Sequence, residues 1–354
     1  MSDDARPSVH DPLASLDRKL RAQLRKGDQP TRIEPQLATA AGPKPGPDWF
    51  YERKFDGVRL LAFVRDGEVR LRTRKHVPVD DAFPELTEAL RSSARSNLVV
   101  DGEVVALEGD TTSFSRLQGR LGLGLTQRGR PRPDPGRGPH PGRGSRVPVH
   151  LYLFDLLSVD GHDLRQLPLW ARRQLLADAL HWEDPLRHSD HRTGNRQQLL
   201  REACASGWEG LIAKDPEAPY RAGRSRRWRK LSCSRGQELV VGGFTDPSHA
   251  RSGFGALLLG YHDDQGRLRY AGKVGTGFDD AMVETLDQLL QGLGRQDPPF
   301  VDPPADREAH WVDPHLVVQV SFTEWTEAGR LRQPRFDGLR IDLDPSEVVR
   351  EPLG

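Results

Sequence analysis

The first place in this chain where residue types and spacing could do chemistry is Tyr51-Glu52-Arg53-Lys54-Phe55-Asp56-Gly57-Val58-Arg59. An amine becomes a competent nucleophile when burial and a neighbouring positive charge lower its pKa. Lys54 is expected to end a strand, held by the turn that follows and with Arg59 near it, and attack on a phosphorus is the chemistry such an amine fits. Taken alone, K-x-D-G more often marks a turn with an exposed lysine. The series downstream changes that balance.

Arg74 ends a strand and can reach a ribose or a phosphate, although a lone arginine is more often a surface residue. Asp101-Gly102-Glu103 opens an apolar strand, so Glu103 can project into a pocket that holds a ribose hydroxyl or a metal ion. Phe154 lies in the most apolar strand of the first half, where a ring either stacks on a purine or simply fills core. Glu209 and Lys214 stand at the two ends of one predicted strand. Their odd spacing sends them to opposite faces unless a bulge or twist intervenes. Trp228-Arg229-Lys230 closes a basic run and delivers Lys230 to a polyanion. Carboxylates for a divalent cation, amines for phosphate oxygens and a nucleophilic lysine make a nucleotidyl-transfer site.

These residues need elements to position them. Strands are predicted over 50–64 (broken by a turn), 69–73, 98–107 (as a pair), 149–157 and 210–214, with helices over 83–92, 170–180 and 197–205. Leu13, Leu16, Leu20 and Leu24 recur at helical spacing, predicting a short amphipathic helix within 11–26. From residue 236 onward, strands over 239–244, 256–261, 268–274 and 316–322, with a helix over 280–293, fit a small five-stranded barrel. The chain therefore reads as α+β, divided into an N-terminal extension (1–30), a first domain (31–235) and a second domain (236–354). A Gly/Pro/Arg-rich loop over 122–145 interrupts the first domain. It is too poor in apolar residues to fold alone, and its arginines suit a DNA backbone.

The net charge of +1 hides segregation. Residues 116–146 carry eight arginines against one acid, and 221–235 carry seven basic residues and no acid, patches that match phosphate backbones. Only eight of the 52 Lys+Arg residues are lysine, so a lysine retained among apolar neighbours points to a need for an amine. No apolar run approaches the length that spans a bilayer, and the polar, acidic start lacks an export pattern. A cytoplasmic, nucleoid-associated protein is the expectation. Cys204 and Cys233 offer neither a disulfide framework nor a zinc spacing, which leaves oxygen ligands for any metal.

The ordered series K-x-D-G-x-R, T-R, D-G-E, F-D-L-L, E-G-L-x-A-K and W-x-K resembles the covalent nucleotidyltransferases, and in detail the bacterial ATP-dependent DNA ligases of the end-joining and accessory repair type. The likeness extends through Ser113-Phe114-Ser115-Arg116-Leu117-Gln118, Val240-Val241-Gly242-Gly243-Phe244, the stretch 253–260 and the stretch 270–278. It implies an adenylation domain followed by an OB-fold barrel, with ATP and Mg²⁺ (Mn²⁺ as the alternative) as cofactors. It further implies a monomer that acts on nicked double-stranded DNA, with Ku or other repair proteins as candidate partners. Lys54 would carry AMP and Glu52 would recognise the adenine amine. Arg59, Arg74, Glu103, Phe154, Lys214, Lys230, Arg340 and Asp342 would bind nucleotide, and Glu103 and Glu209 the metal. The second domain would swing to bring Arg340 and Asp342 over the pyrophosphate. The family's C-terminal F-x-G-L-R-x-D-K stands here as Phe336-Asp337-Gly338-Leu339-Arg340-Ile341-Asp342-Leu343, so its last lysine has become Leu343. The second lysine of W-x-K-x-K has become Ser232. Both departures bear on the lysine-adenylylation step. They also motivate one alternative, a nick-binding protein that has lost turnover; the other is an RNA ligase or capping-type enzyme, which the second-domain likeness argues against.

Overall fold

The computed structural model describes residues 11–351 apart from 41, 110, 113, 119, 121–146, 234–235, 248–252 and 307. The Gly/Pro/Arg-rich stretch thus lies outside the described residues. Contacts divide the chain into two units, 1–112 with 148–231 and 113–147 with 232–354. The helix Phe114–Gln118 groups with the second unit, although it interrupts the first in sequence.

The first unit is built on two sheets. One runs Arg25–Lys26, His162–Asp163, Val149–Val159, Leu98–Glu108, Val58–Arg65, Glu68–Thr73, with Leu186–His188 alongside Val149–Val159. The other runs His191–Arg192, Phe50–Arg53, Gly210–Lys214, Gly223–Ser232, Gln36–Thr39. Apolar patterning explains the central strands: Val58, Leu60, Leu61, Ala62 and Val64 are buried on Val58–Arg65 between two neighbours. Leu98–Glu108 is one continuous strand rather than the predicted pair, because the Val58–Arg65 and Val149–Val159 ladders flank it along almost its whole length. Helix Leu169–Ala179 packs on Val149–Val159, where buried Arg172 closes on Asp155 in a two-point ion pair.

The amphipathic segment departs from its prediction. Only Arg18–Arg21 is helical, started by the Asp17 side chain capping the Leu20 amide. Leu13, Leu16 and Leu20 are buried nonetheless, while Arg25 and Lys26 pair with Asp163 and His162 as an edge strand. Burial satisfies the leucine spacing through turns, and the strand ladder claims residues the helix would have used.

In the second unit an antiparallel sheet runs Leu268–Val274, Leu257–His262, Gly236–Thr245, Ala309–Ser321, Gly294–Arg295, with Arg335–Leu339 also on Ala309–Ser321. Helix Asp280–Gln291, capped by Asp279, buries Leu286 and Leu290 against one apolar cluster of that sheet. A second cluster gathers Val240, Leu258, Leu268, Tyr270, Phe300, Val317, Leu343 and Val348. The sheet thus holds two short strands beyond those predicted. Among the described residues no helix is long and apolar enough to cross a membrane.

Candidate active site

Glu52 and Lys54 are two residues apart at the end of strand Phe50–Arg53 and so leave it on one face. The Lys54 amide donates to Gly210 O at 2.9 Å, tying the start of the turn to strand Gly210–Lys214. The turn then presses on the first sheet. A Cβ on Gly57 would run into Val104 O and stand 2.9 Å from Glu103 Cγ, so only glycine lets the Lys54 loop lie this close to Glu103.

The expected neighbour of Lys54 is replaced. Arg59 faces away to the fully buried Asp101, donating from Nε at 2.8 Å and from Nη2 at 2.5 Å, and Tyr220 Oη donates to the same carboxylate at 2.7 Å. Burial opposes the Arg59 charge, but Asp101 raises its pKa above the ordinary range. Burial, then Asp101, holds the Tyr220 hydroxyl well above its usual value. What touches Lys54 Nζ is an acid, Glu209, in a direct ion pair. Gly210 supplies the reason: its φ of 149° breaks the alternation between Glu209 and the strand that follows. Glu209 is thereby freed from the side that odd spacing dictates, and Lys214 stays on the face it shares with Glu52.

Lys214 is buried. Its Nζ donates to Glu52 Oε2 at 2.8 Å and lies 4.0 Å from the Phe154 ring centroid and 4.3 Å from that of Trp228. Burial, reinforced by the Arg173 charge, pushes the Lys214 ammonium below the ordinary lysine range, against the pull of Glu52. The Arg59 guanidinium also stands over both rings, at 5.2 and 5.5 Å. Phe154 and Trp228 thus form an aromatic corner lined by two cations. In the sequence Trp228 is no more than a motif letter; its 3 % exposure and its edge contacts to Phe154 and Tyr220 make it a wall.

Other residues of the site carry no sequence signal. Arg173, from helix Leu169–Ala179, donates Nη1 to Glu52 Oε1 at 2.9 Å and to Phe154 O at 3.3 Å, and Nη2 to Ser189 O. Ser189 Oγ donates to Glu52 Oε2 at 3.2 Å. Nothing local to a helical arginine announces such distant acceptors. Burial and the Arg173 charge also hold His188 down to about 4. The unfolded chain takes up this proton near the ordinary histidine pKa and the folded chain only near 4. The His188 contribution is therefore complete above about pH 6.5 and lost as pH falls toward 4. Urea melts between pH 7 and 4 are expected to show that loss, and His188→Gln to reduce its slope.

Arg74 follows strand Glu68–Thr73 and is half-buried; Glu103 lies in register opposite Arg59; Lys230 is half-buried in strand Gly223–Ser232. Within the basic run, Arg221, Arg224, Arg226 and Arg227 are exposed, while Arg229 is buried and donates to Pro43 O at 2.8 Å and to Ala40 O. That one cation secures a turn rather than facing a polyanion.

In the second unit Arg340 and Asp342 pair with each other through Nε–Oδ1 at 3.0 Å and Nη2–Oδ2 at 2.9 Å, and Arg340 Cζ stands 4.5 Å over the Phe114 ring. Leu343 is 7 % exposed in the second apolar cluster, which explains the lost lysine: an ammonium there would be unsolvated among apolar groups. Leu343→Lys is expected to lower stability by on the order of 3 kcal/mol in denaturant melts. Unchanged stability with faster adenylylation would mean that the position faces nucleotide instead. Ser232 is exposed at the end of its strand.

Among the described residues no three His, Cys, Asp or Glu side chains converge on a point. Glu209 on Lys54 and Glu103 beside the Lys54 turn are oxygen donors of the kind Mg²⁺ takes, one or two carboxylates with phosphate oxygens and water completing the shell.

Comparison with known proteins identifies the family. Residues 33–231 match the family described as ATP dependent DNA ligase domain, and residues 250–343 the ATP dependent DNA ligase C terminal region. The chain is 37% identical over 339 residues to the multifunctional non-homologous end joining protein LigD of Pseudomonas aeruginosa, covering 93% of this chain and 38% of that protein. A probable DNA ligase of Streptomyces coelicolor is 31% identical over 316 residues, 84% of this chain and 57% of that protein. Among solved structures, mycobacterial DNA ligase D complexed with ATP and MES superposes with a TM-score of 0.60 at 34% identity, over 90% of this chain and 98% of that one. The chain thus spans well under two thirds of the length of these curated relatives. Its α+β architecture is that of an adenylation domain joined to an OB-fold domain. Matches to both family models, over 33–231 and 250–343, together with a relative 37% identical over 93% of the chain, place the protein in the ATP-dependent DNA ligase family.

Proposed function

We propose that this protein seals 5′-phosphate/3′-hydroxyl nicks in duplex DNA through an AMP carried on Lys54. Lys54 Nζ attacks the α-phosphorus of ATP and diphosphate leaves; AMP passes to the 5′-phosphate of the nick; the 3′-hydroxyl then attacks that phosphate and AMP departs. The observation that carries this reading is the single strand face bearing Glu52 and Lys54, with Glu209 on the lysine and the Phe154–Trp228 corner beside Glu52. In-line phosphoryl exchange needs positioning and charge neutralisation more than acid-base chemistry.

Glu52 accepts from the adenine amine, and Phe154 supplies a stacking wall. Arg74, Lys230 and, from the second unit, Arg340 and Asp342 serve the ribose and phosphates, while Arg59 on Asp101 and Lys214 on Glu52 line the aromatic corner where the nucleotide binds. Mg²⁺ would be held by Glu103 and Glu209 with nucleotide oxygens, and would neutralise phosphate charge. The partner is nicked double-stranded DNA, met by the exposed arginines of strand Gly223–Ser232. The end-joining relatives support a role in DNA repair, with Ku or other repair proteins as further partners and a monomer as the working form. Burial of Leu343 in the core gives the substitution a packing reason and weakens the case for a binder without turnover.

The test is incubation with α-labelled ATP and Mg²⁺, then a nicked duplex. Label on the wild type, absent from Lys54→Ala and chased into sealed DNA with release of AMP, is the expected result. No label on wild-type protein purified free of bound AMP would overturn the reading.

A further inference from the structure

Helix Leu169–Ala179 presents two adjacent buried arginines with different destinations. Arg172 closes on Asp155 and on Leu167 O and Ala218 O, all groups that hold the helix in place. Arg173 instead reaches three parts of the nucleotide site at once: the Glu52 carboxylate, the carbonyl of Phe154 and the carbonyl of Ser189. With 4 % exposure it is as desolvated as the carboxylate it holds.

A carboxylate offers about four acceptor sites. On Glu52, Arg173 takes one at Oε1, and Lys214 and Ser189 take two at Oε2. One site is left, on the oxygen that Arg173 orients. We infer that Arg173, with Ser189 as its lesser partner, is a positioning residue that aims the last free acceptor site of Glu52 at the exocyclic amine of the purine, and so sets discrimination for a 6-amino base. The same guanidinium fixes the backbone of Phe154, keeping ring and carboxylate in one register. A lysine cannot substitute, because a single ammonium lacks the planar fork that spans three acceptors. This inference rests on the nucleotide reading above.

The experiment measures Lys54 labelling from α-labelled ATP and from α-labelled purine riboside triphosphate, which lacks the 6-amine, for wild type, Arg173→Lys and Ser189→Ala. A hydrogen bond to a buried carboxylate that one nucleotide makes and the other cannot discriminates by roughly 10- to 100-fold. Wild type is expected to favour ATP to about that degree, mostly in KM. Arg173→Lys should lose most of that preference, through weaker labelling from ATP with labelling from the purine riboside triphosphate little changed, and Ser189→Ala should lose a smaller part. If both variants keep the wild-type ratio of the two nucleotides, Arg173 is only structural and the inference is overturned. It is overturned equally if Arg173→Lys lowers labelling from the two nucleotides by the same factor. Should Arg173→Lys fail to fold, the ratio in Ser189→Ala decides. Absence of label on the wild type overturns the nucleotide reading along with the inference; label with an unchanged ratio overturns the inference alone.

Discussion

Lys54→Arg is expected to abolish protein labelling from ATP, by on the order of 10³-fold or more, while sealing of a nick that already carries its 5′-adenylate stays within about tenfold of wild type. The two activities separate because of what arginine keeps and what it loses. It retains the positive charge and can still meet Glu209, so the ion pair at the mouth of the turn survives. It loses the lone pair, because a guanidinium stays protonated through the working pH range and cannot attack phosphorus. The last chemical step needs no amine and is expected to go on. Both activities are read from one gel, with labelled ATP in one arm and a pre-adenylylated nicked duplex in the other. Persistent label on Lys54→Arg would remove this lysine as the nucleophile, whereas loss of both activities would show that the residue is needed for the site's structure.

Asp155→Ala is expected to destabilise the first unit by about 3–5 kcal/mol. Asp155 and Arg172 are both fully buried and meet through two bonds of 2.7 and 2.8 Å. The remaining Arg172 nitrogen donates to Leu167 O at 2.6 Å and Ala218 O at 3.2 Å. Truncating the acid leaves a guanidinium without its counter-charge in a medium that cannot hydrate it, a larger penalty than the lost attraction. Replacing both partners, as Asp155→Leu with Arg172→Met, should recover much of the loss because no charge is stranded. Urea unfolding of the two variants measures the effect. A loss under about 1 kcal/mol for Asp155→Ala would mean that water reaches the pair.

These two cases show where the sequence was informative. Residue type and order announced Lys54, because a lysine in an arginine-rich chain, ahead of a D-G turn and a train of acidic and basic motifs, has few other uses. By contrast, Asp155 was legible only as a letter beside Phe154, and nothing local linked it to Arg172. The helix within 11–26 went astray for a related reason. Leucine spacing reports which side chains are buried, and here turns and an edge strand bury them as well as a helix would.

The sequence by itself determined which residue types are on offer and in what order: a lysine ahead of a D-G turn, acids downstream, a basic strand, and a first domain followed by a strand-rich second one. It also determined most strands and helices, because alternation and helical periodicity survive in any tertiary context that buries one face. Only the tertiary structure decided who meets whom. Lys54 finds Glu209 across 155 positions, with a glycine at φ 149° breaking the alternation between Glu209 and the strand that carries Lys214. Arg59 goes to Asp101, Arg173 crosses 121 positions to Glu52, Trp228 becomes a wall of the Lys214 corner, and Leu343 sinks into core. The physical reason is common to all of them. The direction of a side chain follows from local backbone, but its partner is selected by desolvation, since each buried charge must find an opposite one wherever the fold brings it.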